Sequence, residues 1–157
     1  MSVSVKTTKL IEEHLRSIFP DTECRRSYIP CLDPEELDDG KITLCVNPVG
    51  READNYTQGG MQKHELEIDI WINAKLTHRN DESDAFTAEV DELIAFTEKV
   101  YAAFLKKIVK NAENFRAAFD QPEHIVLCDY SAIQERNCFY SIVRVNAQIF
   151  TKPETQP

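Results

Sequence analysis

A chain of 157 residues, 42% hydrophobic and 29% charged, has the size and composition of one globular domain, which argues against wholesale disorder. Its formal net charge of −9, from 27 acidic against 18 basic residues, repels a phosphate backbone. The basic doublets Arg25-Arg26 and Lys106-Lys107 are isolated, so sequence-specific nucleic-acid binding is disfavoured.

The opening MSVSVKTTKLIEEHL has neither the apolar run nor the small-residue cleavage site of a secretory signal. No stretch approaches the roughly 18 apolar residues of a bilayer span, so a soluble cytoplasmic protein with no membrane partner is expected. Within VKTTKLIEEHLRSIF, Leu10 or Ile11, then Leu15, Ile18 and Phe19 recur at three- and four-residue steps. That spacing predicts a short amphipathic helix ended by Pro20, with His14 as a surface or half-buried neighbour of the stripe. CRRSYIPCL holds a short strand before Pro30. In DPEELDDGK, Asp33 is placed as a cap, Pro34 at the first helical position and Glu35-Glu36 on the dipole, which predicts one helical turn. The acids Asp33, Glu35, Glu36, Asp38 and Asp39 lack calcium-loop spacing and read as a solvated turn.

KITLCVN alternates Ile42, Leu44 and Val46 against Lys41, Thr43, Cys45 and Asn47, a strand expected to stop at Pro48. HELEIDIWIN alternates more strongly, with Leu66, Ile68, Ile70 and Ile72 one way and Glu65, Glu67, Asp69 and Trp71 the other. The two make an antiparallel hairpin. Its connection, about 49–63, is far longer than the usual two to five residues and carries Gly50, Gly59 and Gly60. Such a loop is expected to be mobile or to be held by something outside the domain.

From Phe86, the residues Val90, Leu93, Ile94, Thr97, Val100, Tyr101, Phe104, Leu105 and Ile108 fall on one 3.6-residue stripe, predicting a long helix. Asp81, Glu82 and Asp84 at its front, Ser83 as its cap, and Lys106, Lys107 and Lys110 at its tail all suit the macrodipole. NAENFRAAFDQPEH reads as a helical turn or loop ending near Pro122, and HIVLCDY as a central strand, apolar on both faces. SAIQERN reads as a compact hairpin connection. CFYSIVRVNAQIFT is a strand alternating Phe139, Val143, Val145, Ala147 and Ile149 against Tyr140, Arg144, Asn146 and Gln148. The tail from about 152 to 157 is expected to fray. The expected architecture is a single α+β domain over 1–157. One antiparallel sheet of about four strands packs against a long amphipathic helix, with a shorter N-terminal helix.

Glu65, Glu67 and Asp69 stand on one strand face, about 7 Å apart, a spacing that suits acid–base work or a metal. The nearby His64 points to the opposite face, so an exposed acidic face is expected. No nucleophile elbow, H-E-x-x-H helix or phosphate-cradling glycine pattern occurs. The five cysteines, Cys24, Cys31, Cys45, Cys128 and Cys138, form no C-x-x-C pair and read as reduced packing residues. No catalytic residue, metal site or cofactor is expected. Trp71 shares the acidic face, and Ile142 and Phe150 sit on the polar side of the last strand. Either a second core layer, under the first helix or residues 20–40, covers them, or a protein interface does.

The order helix–hairpin–long helix–hairpin resembles the tail terminator and related tail-completion, head–tail joining proteins of long-tailed bacteriophages and prophages. It is carried by KITLCVNPVGRE, the glycine-bearing loop, HELEIDIWI, DELIAFTEKVYAAFL and VRVNAQIF, from about Val5 to Thr151, as an order and pattern of elements. The resemblance implies a non-catalytic homo-oligomeric ring, typically a hexamer, that caps the tail tube and meets the head connector. It would assemble in the cytoplasm of the bacterial host and end in the virion tail. Arg51, Asp54, Tyr56, Glu65, Glu67, Asp69 and Trp71 are then the candidate interface or lumen residues, and an acidic lumen would keep a passing duplex from sticking. The alternative is a cytoplasmic small-ligand-binding or regulatory α+β domain, with Trp71 and Tyr56 lining a pocket.

Overall fold

The first apolar stripe becomes α1 (Val3–Ile18), opened by Ser2, whose hydroxyl accepts from the Val5 N–H at 3.2 Å. The structure, a computed structural model, describes residues 2–51, 55–56, 60–79, 83–105, 108–112 and 115–152. Within them the chain is α+β. The strands are β1 (Glu23–Arg26), β2 (Ile42–Arg51), β3 (Asn55–Tyr56), β4 (Gln62–Lys75), β5 (Ile108–Ala112), β6 (Phe115–Phe119), β7 (Glu123–Val126) and β8 (Cys138–Thr151). The other helices are α2 (Asp84–Ala102) and α3 (Tyr130–Arg136). A 3-10 turn at Pro34–Glu36 matches the expected helical turn, with the Glu36 carboxylate accepting from the Asp33 N–H at 3.2 Å.

The strand order is β1-β2-β4-β8-β6-β5, with β3 beside β4 and β7 beside β8. At the centre β4 and β8 pair antiparallel along their length, from Gln62 opposite Thr151 to Lys75 opposite Cys138. Their long alternating runs offer the most ladder bonds and two buried faces, so they take the middle. The hairpin of β2 and β4 forms as expected, with Val46 opposite Ile70. The expected sheet of four antiparallel strands is too small and too uniform: β1 runs parallel to β2, Glu23 beside Thr43, because residues 27–41 cross over the sheet before β2 begins.

Six further expectations are corrected. Pro48 does not stop β2, which runs on to Arg51 through an irregularity between Pro48 and Gly50. The Val46 carbonyl faces β1, accepting from the Ser27 N–H at 3.0 Å, so Pro48, two residues on, turns its hydrogen-less nitrogen to that side, past the end of β1. The connection over 49–63 is likewise shorter, since β3 continues along β4 (Asn55 opposite Lys63) and β4 starts at Gln62. Residues 52–54 and 57–59 lie outside the described ones, as do Asp81, Glu82, Lys106, Lys107 and the tail from 153.

The long helix ends at Ala102 rather than reaching Ile108, which with Lys110 belongs to β5. The supposed turn in NAENFRAAF is a hairpin of β5 and β6, in which Phe115, Ala117 and Phe119 alternate as buried residues. HIVLCDY is not central: β7 is four residues at the margin of β8, and Ile125 and Leu127 are exposed. SAIQERN is helical, within α3. Asp129 opens it by accepting from the Ala132 N–H at 3.1 Å, and Asn137 closes it in the left-handed region at φ 53°.

Both α1 and α2 lie on one face of the sheet. Leu10, Ile11 and Leu15 of α1 and Leu93 and Val100 of α2 enclose Leu66, Ile68, Ile70 and Ile72 of β4 with Val143, Val145 and Ile149 of β8. One polar pair fixes the helix on this apolar bed: the fully buried Thr97 and Ser141 hydroxyls are 2.7 Å apart. At the front of α2, Ser83 caps the Phe86 N–H at 3.2 Å, as expected. Glu89 binds the incoming turn, accepting from Thr77 N (2.6 Å), Thr77 Oγ1 (2.8 Å) and His78 N (3.0 Å) and meeting His78 Nδ1 at 2.5 Å. On the outer margin of β1, the Arg16 guanidinium donates to the Cys24 carbonyl at 3.2 and 2.8 Å and pairs with Glu12 at 2.7 Å.

Candidate functional site

Strand alternation sends Glu65, Glu67, Asp69, Trp71 and Asn73 of β4 away from the helices, beside Tyr140, Ile142, Arg144, Asn146 and Gln148 of β8. His64 goes the other way, as expected, buried and 3.0 Å from the Thr151 hydroxyl. This second face is closed at one end and open at the other.

The closed end answers what covers Trp71. Leu32 and Leu37, from the segment after β1, and Ala132 of α3 bury Cys45, Cys138 and Tyr140, and Trp71 and Cys31 pack against them. Asn73, fully buried, clamps this layer: its Oδ1 accepts from Leu32 N at 3.1 Å, and its Nδ2 donates to the carbonyls of Pro30 (3.1 Å) and Thr43 (3.4 Å). The Tyr140 hydroxyl donates to the Leu32 carbonyl. Burial raises the Tyr140 phenol above its ordinary pKa and pushes Cys24 up to about 12, with Cys31, Cys45, Cys128 and Cys138 raised for the same first reason. Thiols held protonated in this way are packing groups rather than nucleophiles at neutral pH.

In the middle lies a correction. Asp69 is not part of an exposed acidic face; it is 6% exposed and forms a bidentate pair with Arg144, at 2.8 and 3.1 Å. The hydrogen bond to Asp69 raises the Arg144 pKa further, against the opposing effect of burial.

The open end keeps the acidic character. Glu67 is exposed, while Glu65 is half-buried and 3.1 Å from the Lys63 ammonium. With Gly50, Asp120, Asn146 and Gln148 they line a shallow depression of 390 Å³. Gln148 Nε2 donates to Asp120 at 3.2 Å, and a side chain at Gly50 would meet the Glu67 carboxylate at 3.4 Å. No group of three metal-ligating side chains exists among the described residues. Of the other expected interface residues, Asp54 lies outside the described residues, and Arg51 and Tyr56 are described only as backbone of β2 and β3.

Two surface features escaped the sequence reading. Tyr28 and Ile29 are 71% and 78% exposed, in a turn fixed by the Ser27 hydroxyl, which donates to the Ile29 carbonyl at 2.8 Å and accepts from its N–H at 3.1 Å. The signal was present in SYIP, a turn-forming serine and a proline bracketing two large apolar residues. The second is a groove of 820 Å³ on the helix face, between α2 and the ends of β2 and β4, lined in part by Ile42, Ala74, Ala88, Leu93, Ala95 and Phe96. No described helix is long and apolar enough to cross a membrane. No family model and no curated protein matches the chain.

Proposed function

We propose that this chain is a structural assembly protein of a phage or prophage tail, forming a homo-oligomeric ring that terminates the tail tube and joins it to the head. The supporting observation is the arrangement of α1 and α2 on one face of a sheet built on the β2–β4 hairpin, with the other face left open and acidic at Glu65 and Glu67. An open, like-charged face suits a surface turned to a DNA passage, and the ordered elements follow the sequence of helix, hairpin and long helix that suggested the family. In this reading Glu65 and Glu67 are the lumen candidates, while Asp69 and Trp71 are structural. Light scattering behind a sizing column, with negative-stain images of mixtures with purified tails, tests it. A closed ring, or one that forms on a tail tube, is the expected result; a monomer indifferent to tails sinks the idea.

The alternative, a cytoplasmic small-ligand-binding or regulatory domain, draws support from the 390 Å³ depression, whose carboxylates and amides suit a small cationic or polar ligand. Trp71 belongs to the covered layer and drops out of such a pocket. A small-molecule thermal-shift screen decides, since a ligand bound only to the folded state raises the melting temperature.

A further inference from the structure

Two of the five thiols share one small neighbourhood. Cys31 is placed by the residues on either side of it: the Pro30 carbonyl accepts from Asn73 Nδ2, and the Leu32 N–H donates to Asn73 Oδ1. Asn73 stands opposite Tyr140 in the β4–β8 ladder, and the Tyr140 hydroxyl donates to the Leu32 carbonyl. Cys138 lies two residues before Tyr140, so strand alternation puts its side chain on the same face. Both thiols therefore sit in the layer that covers this face, with the Tyr140 hydroxyl beside each. Cys138 is fully buried, whereas Cys31 is only half-buried and within reach of a small solute.

The other three cysteines are set apart. Cys24 and Cys128 belong to the main core. Cys45 is on β2, separated from β8 by β4, among Arg25, Glu23 and Glu36, whereas the charges around Cys31 are Arg136, Asp129 and Asp33.

We propose that Cys31 and Cys138 are a dithiol that closes to a disulfide when the protein meets a peroxide, fastening the segment after β1 to the start of β8. The Cys31 sulfur, having lost its proton, attacks one peroxide oxygen; the O–O bond breaks, hydroxide leaves and takes up a proton, and a sulfenic acid remains. The Cys138 sulfur then attacks the Cys31 sulfur, the S–O bond breaks, and water leaves with the Cys138 proton. Two thiols are oxidised and one hydrogen peroxide is reduced to two waters.

Burial holds both thiols protonated at neutral pH. Arg136 and Lys75 favour the thiolates, and Asp33 and Asp129 oppose them, so closure is slow at neutral pH and quickens as pH rises. The bond closes a loop of about 100 residues and so restricts the unfolded chain. It adds a covalent tie to the hydrogen bonds of Asn73 and Tyr140 that hold this layer.

The test treats the folded full chain with hydrogen peroxide at mildly alkaline pH, blocks the remaining thiols with iodoacetamide in urea, and maps the non-reduced peptides by mass spectrometry. A Cys31–Cys138 linkage is expected, with Cys24, Cys45 and Cys128 alkylated. The oxidised chain should show a higher urea midpoint, which dithiothreitol returns to the reduced value. Cys31→Ser, changed at the half-buried position and treated in the same way, should show neither the linkage nor the rise; circular dichroism checks its fold, and Cys31→Ala replaces it if it unfolds. Any other fate of Cys31 overturns the proposal, whether it stays a free thiol, goes on to sulfinic acid, or links to a different cysteine or to a second chain. An equal rise in midpoint in the variant overturns it too.

Discussion

Asn73 holds three backbone groups from two separate segments, and its bonds to the Leu32 N–H and the Thr43 carbonyl are fully buried. Asn73→Ala therefore leaves a buried N–H and a carbonyl unpaired and is expected to cost about 2–3 kcal/mol. Urea titration gives the loss, and the emission of Trp71, the one tryptophan, should shift to the red as its cover loosens. An unchanged midpoint and spectrum would show that residues 30–37 are held by something else. The Asp69–Arg144 pair behaves differently. Asp69→Ala strands a mostly buried guanidinium and is expected to cost about 2–3 kcal/mol, whereas leucine at both positions is expected to cost under about 1 kcal/mol. At Glu89, burial alone would raise the carboxyl pKa, but hydrogen bonds from Thr77 and His78 outweigh it and hold the group below its usual value. A depressed folded pKa gives stability that is present above the unfolded value of about 4.3 and is lost as pH falls through the folded one. The gap in urea midpoint between wild type and Glu89→Gln should thus be full at pH 7 and shrink steadily below about pH 4.3; a gap that widens in acid refutes the assignment.

At the scale of elements, the Thr97–Ser141 hydroxyl pair sets how α2 sits on β8. Thr97→Val leaves the Ser141 hydroxyl buried without its partner, at a cost of about 1–2 kcal/mol. Adding Ser141→Ala should recover part of that, so a double-mutant cycle is expected to show coupling; strict additivity would mean the two hydroxyls do not interact. The elements legible in the sequence were those whose pattern repeats many times: α1, the body of α2, and the strands around Val46, Ile70 and Val145. Those missed were short. The β6 alternation of Phe115, Ala117 and Phe119 spans only five residues and is diluted by alanines, which favour helix. In α3, seven residues are too few for a stripe, and its cues were its ends, Asp129 and Asn137. Pro48 misled because a proline ends a strand only where its nitrogen must donate.

For the whole molecule, the continuous ladder of β4 and β8 predicts the order of opening. Native-state hydrogen exchange should find the slowest amides there and faster ones in β1 and β7, which border the sheet with four residues each. Equal protection in β7 and β4 would deny the central ladder that role. The acidic face was read from alternation alone, and Glu65 and Glu67 remain on its open part. What alternation could not reveal was register: Asp69 meets an arginine 75 positions away, and Trp71 is sheltered by residues 31–37 and α3. Pairings across such separations depend on how strands slide past one another, which local pattern does not encode.

The guanidinium of Arg16 lies across the Cys24 carbonyl on the outer margin of β1. Unprotected strand margins template the addition of further strands, and this is how ordered aggregates propagate. Here a cation, itself tethered by Glu12, occupies the acceptor an incoming backbone would need. Joining of two sheets backbone to backbone along that flank is thereby disfavoured.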